Sequence, residues 1–223
     1  MKEHVPSLTL KPLSQMRWES HIESVKAVRF QVSQIRDALF ELVETSNDPK
    51  TKSEAYCLAT YELESFEFLL GIVIWYDLLF AVNAINKTLQ AKDMQIDVAI
   101  KHLKGLISFL KNYRETGFTT ALISAKEISS EMNIEPVFFK RRIIRRKKQF
   151  NENNTNDVAH SPEESFKINY FYYVIDQAIS SFESRFEQFK LYEEVFGFLY
   201  DLNKLKSLDD ESCLLYTSPS PRD

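Results

Sequence analysis

Glycine is scarce in this chain, with four residues in 223. Hairpin turns and bulges lean on glycine because it reaches positive φ without penalty, so the shortage argues against a β-sandwich or barrel of this length. Cysteine is scarcer still, limited to Cys57 and Cys213. Two isolated thiols and four scattered histidines offer neither a disulfide framework nor a zinc-ligand spacing. The start, MKEHVPSLTLKPL, lacks the apolar core of a signal peptide and points to an intracellular protein. Also missing are a glycine-rich phosphate loop and any nucleophile motif. The carboxylates Glu64, Asp77 and Asp176 fall on expected helices, yet no spacing couples them as metal ligands or as an acid and a base. Judged by its own residues, the chain is not an enzyme and holds no cofactor.

What is present is apolar content: 44% of residues are hydrophobic and 13% aromatic, enough for the core of one ordinary domain or two small ones. The most apolar stretch is 66–89, FEFLLGIVIWYDLLFAVNAINKTL. Its longest unbroken run, 69–76, is bounded by Glu67 and Asp77, whereas a bilayer crossing needs roughly 20 predominantly apolar residues. The stretch therefore reads as a buried central helix and not as a membrane span. Glu67, Asp77 and Asn83 are then expected where the helix meets solvent or a partner group, and Trp75 reads as a core anchor.

The rest of the chain has helical period. Residues 1–13 carry Pro6 and Pro12 and read as an extended lead-in to a domain over 14–212. Apolar residues at Trp18, Ile22, Val25, Val28, Val32, Ile35, Leu39 and Leu42 form one stripe, with a break near 31–33 left open. Asp48-Pro49 begins another helix, since the carboxylate accepts from free N–H groups and proline at the first position needs no donor. A kink is expected near 61–65. Asp93 is expected to cap a helix carrying Ile96, Ile100, Leu103, Ile107, Leu110 and Tyr113 that stops at Gly117, followed by a shorter one over 119–132 ending before Asn133 and Pro136. The polar stretch 151–160 reads as a mobile loop. Ser161-Pro162-Glu163-Glu164 has capping-box form and opens a helix with Phe171, Val174, Ile175, Ala178, Phe182, Phe186 and Phe189 on one face. A last helix carries Phe196, Leu199, Leu202 and Leu205. No segment alternates at period two, so the expected fold is an all-α array of about seven or eight helices.

One stretch departs from the mean charge. Lys140, Arg141, Arg142, Arg145, Arg146, Lys147 and Lys148 place seven cations in nine positions with no acid. The chain's formal charge of −4 thus leaves −11 on everything else. Arginine forks suit phosphate oxygens, and clustered cations gain from counterion release, so DNA is the expected partner. A nuclear-import signal or a solvated strip fits the same residues. Ile143 and Ile144, flanked by Phe139 and Phe150, suggest a segment partly docked on the core. Arg17-Trp18 is a second candidate, because an indole can stack on an unpaired base while the arginine holds phosphate; a tryptophan that opens an amphipathic stripe is nonetheless more often core. The last eleven residues, CLLYTSPSPRD, read as a translated sequencing adapter, so the natural sequence is expected to depart after Ser212.

Several segments, in order, carry a resemblance: LKPLSQMRWESHIESVKAV, DPKTKSEAYCLATYELESFEFLLGIVIWYDLLFAVN, IEPVFFKRRIIRRKKQF and ESFKINYFYYVIDQAISSFESRFEQF. Together they resemble hAT-superfamily transposases and their domesticated descendants, zinc finger MYM-type protein 1-like proteins in particular, over 10–210. The resemblance implies the helical insertion domain of an RNase H-like transposase, lying between the second and third metal-holding carboxylates of the parent. A divalent metal is then implied only for an active full-length parent, with none held here. It also implies nuclear location, a role for Arg17 and Trp18 near a processed DNA end, and protein partners or self-association through regions outside this chain. Met16 stands where relatives often carry threonine. The other reading is a helical protein-interaction module without a nucleic-acid role.

Overall fold

A computed structural model describes residues 18–92, 94–139 and 160–197, with backbone alone for Trp18, Glu19 and Ser20. The described residues are helical, with no strand among them. Helix α1 (Trp18–Thr45) follows the stripe as two helical pieces that meet at a kink at Gln31, where φ −135° and ψ 23° leave helical space, so the break left open near 31–33 is present. Asp48 caps α2 (Pro49–Cys57), its carboxylate accepting from the Lys50 and Thr51 amides. Those bonds, with the Thr51 hydroxyl first among them, hold the Asp48 carboxyl below its usual range. A π-helical segment (Leu58–Glu62) and a turn follow, which realise the kink, before Ser65 caps α3 (Phe66–Leu89).

Helix α3 is the centre of the molecule. Its 24 residues satisfy length and composition for crossing a membrane, with a best 18-residue mean hydropathy of 2.0, but it packs against both α1 and α4 (Ile96–Glu131). Phe66, Leu69, Leu70, Val73 and Ile74 are buried there almost completely.

Helix α4 (Ile96–Glu131) corrects the sequence reading, because one helix of 36 residues replaces the two expected on either side of Gly117. A Cβ at Gly117 would stand 2.5 Å from the Tyr113 ring, so this glycine makes room for a side chain one turn earlier and ends nothing. The real stop is Asn133, whose φ of 56° is the left-handed conformation asparagine tolerates. Ile134 N donates to Ser129 O at 2.8 Å and Asn133 N to Ser130 O at 3.1 Å, the paired bonds of a Schellman ending. At the other end Gln95 stands at the N-cap position without a side-chain bond, and Asp93, the expected cap, lies outside the described residues.

Helix α5 (Pro162–Phe166) opens with the serine half of the expected capping box, Ser161 Oγ accepting from Glu164 N at 3.1 Å, while Glu164 Oε2 lies 3.1 Å from His160 Nδ1. A second π-helical segment (Lys167–Tyr172) passes without leaving helical backbone into α6 (Tyr173–Phe196). Helix α6 returns antiparallel along α4, as Phe118–Phe171, Arg114–Asp176 and Lys111–Glu183 contacts show in succession. The core joins α3, α4 and the continuous helical stretch from α5 to α6, and a smaller cluster of Val32, Ile35, Leu63, Leu69 and Met132 ties in α1.

Candidate nucleic-acid interface

Of the residues singled out for DNA, Arg17 and the seven cations of 140–148 lie outside the described residues, as do the loop 151–159, the lead-in 1–13 and the chain from 198 onward. Trp18 opens α1, with its side chain undescribed. The fold does describe where the basic segment departs. After the Schellman ending, Arg36 Nη1 donates to Met132 O at 3.1 Å and stands 3.6 Å from Glu64 Oε1, pinning the end of α4 to α1. The chain then turns onto α3. Phe138 packs edge-on to Phe66 with ring centres 5.3 Å apart, and the Phe139 amide donates to Glu67 Oε1 at 2.9 Å. Phe138 also meets Phe166 at 5.6 Å, beside the Ser161 cap where the chain returns. At Phe138 and Phe139, the two residues before Lys140, the chain is thus held by an aromatic contact and a charge-assisted hydrogen bond.

From this point a line of rings runs back along α3. Phe166 and Tyr170 are 4.8 Å apart, and Tyr170 Oη accepts from Trp75 Nε1 at 2.9 Å. Gly71 permits that contact, since a Cβ there would lie 3.2 Å from the Tyr170 hydroxyl oxygen. Burial raises the Tyr170 hydroxyl's pKa, against the smaller lowering effect of the indole donor. Trp75 is 38% exposed, which corrects its reading as a core anchor. Its neighbour Tyr76 faces α1, where the Arg29 guanidinium lies 4.4 Å above the ring and Phe30 meets it edge-on at 5.4 Å.

The three carboxylates weighed as chemistry are each held by an arginine. Asp77 binds Arg29 at 2.8 Å and accepts from the Tyr113 hydroxyl at 3.1 Å. Burial, then the Asp77 charge, pushes the Tyr113 hydroxyl far above its ordinary range. Asp176 forms a two-point pair with Arg114, at 2.6 and 3.1 Å, that raises the guanidinium pKa further. Glu64 faces Arg36. Among the described residues no group of three or more histidine, cysteine or acidic side chains is placed to hold a metal. An open groove of ≈ 480 Å³ between α4 and α5, lined by Phe118, Leu122, Lys167 and Tyr172, has the Lys167 ammonium 5.4 Å above Phe118.

The sequence missed the ring line because its members come from three separated stretches, 66–75, 138–139 and 166–170. Its early sign was Phe139, read as a flank of the cationic segment. No family model matches the chain, and no solved structure matches it.

Proposed function

We propose that the chain is a DNA-binding helical region of a nuclear protein derived from a hAT transposase. Its contacts to DNA come from residues 140–148, with Arg17 and Trp18 handling an unpaired base at a DNA end. The observation that carries the reading is the run of seven cations in nine residues set immediately after an anchored point, Phe138 and Phe139 on α3. A free tail would need no such anchor. Held at its base, a cationic segment loses less freedom on meeting a phosphate backbone, and less of the counterion-release gain is offset. The fragment itself does no chemistry in this reading, since two-metal strand transfer needs carboxylates supplied from elsewhere in the parent.

The experiment is a fluorescence-anisotropy titration of a labelled duplex at low salt. Wild-type protein binds, and replacing Arg145, Arg146, Lys147 and Lys148 with Gln weakens binding at least tenfold whatever the DNA sequence, the behaviour of phosphate contacts. Equal affinity in both proteins would leave the segment as an import signal or solvated strip and return the interaction-module reading.

A further inference from the structure

Trp75 sits half on the surface of the most apolar helix, with its N–H bonded to a tyrosine. We propose that the exposed rings of Trp75 and Phe139, seated on the half-buried Tyr170, Phe166 and Phe138 that pack against the core, form a stacking surface for an unpaired DNA strand. The proposal rests on the reading that residues 140–148 bind phosphates, and adds which form of DNA the fold receives.

The rings are contiguous. Trp75 reaches Tyr170 by its hydrogen bond, Tyr170 reaches Phe166 at 4.8 Å, and Phe166 reaches Phe138 at 5.6 Å. Phe139, the next residue, is 64% exposed and is held by Glu67. Glu67 and Trp75 are two helical turns apart on α3, so the line spans about 12 Å, room for about three bases at duplex spacing. The indole is set in advance by its bond to Tyr170 and has little rotamer freedom left to lose on binding, while the Glu67 bond fixes the backbone that carries Phe139.

Chemistry selects the occupant. A single strand offers both flat apolar faces and phosphates, and protein surfaces that take it combine aromatic rings with an adjoining run of cations. Here the cations begin at the residue after Phe139. A duplex hides its base faces, and an apolar protein helix has no use for seven positive charges.

Trp18 and Trp75 are the two tryptophans, so the Trp18→Phe protein has Trp75 as its sole indole. Titrated with oligothymidylate, its emission falls in step with anisotropy, whereas a duplex of equal length leaves it nearly unchanged. In the native background Trp75→Leu and, separately, Phe139→Ala each weaken single-strand binding about 5-fold or more. Duplex affinity and the dependence on salt stay as they were. Far-UV circular dichroism confirms folding, and Phe139→Ala carries the test if Trp75→Leu unfolds. Salt-dependent binding with unaltered Trp75 emission, and with Phe139→Ala matching wild type, overturns the stacking surface alone. Binding of neither form of DNA overturns the basic-segment reading together with it.

Discussion

Tyr113 illustrates how one side chain ties three helices. Its ring fills the space over Gly117 on α4, and its hydroxyl donates to Asp77 on α3, which Arg29 of α1 holds from the other side. Gly117→Ala should therefore destabilise, although alanine is the better helix former by about 1 kcal/mol. The new methyl displaces the ring, losing a hydrogen bond and part of an aromatic burial, and a net loss of about 1–3 kcal/mol in urea unfolding is expected. Tyr113→Phe keeps the ring and should cost about 1 kcal/mol or more, since Asp77 is left with one partner fewer. The same residue sets an alkaline limit. Its hydroxyl titrates higher folded than unfolded, so its stabilising effect is complete below the unfolded value of about 10 and is lost as pH climbs beyond it. Stability measured from pH 9 to 11 should fall less steeply in Tyr113→Phe than in wild type; equal slopes would remove Tyr113 from the cause. Tyr170, also raised, adds to the decline in the same direction.

At the scale of elements, what the sequence disclosed was whatever depends on neighbours a few residues away. Asp48-Pro49 and Ser161-Pro162-Glu163-Glu164 start helices because cap and amide are two or three residues apart, and Asn133 ends α4 by a local backbone conformation. The all-α fold follows from such signals together with the three-and-four spacing of α1, α4 and α6 and the apolar length of α3. Gly117 misled because its partner is a ring conformation, not a residue type. The two π-helical segments have no composition of their own, and the second places Phe171 fully buried with the half-buried Tyr170 and Tyr172 on either flank. Trp75 misled for another reason: hydropathy says that α3 is buried on average, and only the packing of α1, α4 and Tyr170 says which side is not. Ser161→Ala should cost about 1 kcal/mol and Ser161→Gly only a few tenths, because glycine tolerates the cap position and alanine does not. Thermal melts of the two variants distinguish a cap from an incidental contact.

For the whole molecule, charge is divided between a cationic run and an acidic remainder, and this division was visible in the sequence; the clamp beside it was not. The adapter reading of residues 213–223 implies that these were never selected with the fold, so their deletion should leave the melting temperature unchanged. A decrease of several degrees would make the tail a structural part. The central claim is that residues 140–148 hold DNA by its phosphates, and the salt dependence of affinity tests it most directly. If about five of the seven cations reach phosphates, log affinity for duplex falls against log salt with a slope of about −4 to −5. The Arg145, Arg146, Lys147 and Lys148 to Gln protein should flatten that slope by up to about 3 to 4 units. Trp18→Ala, once its melting curve shows α1 intact, should leave it nearly unaltered, because stacking releases few ions. A slope near zero in wild type, or one that the four glutamines leave unchanged, would contradict the account.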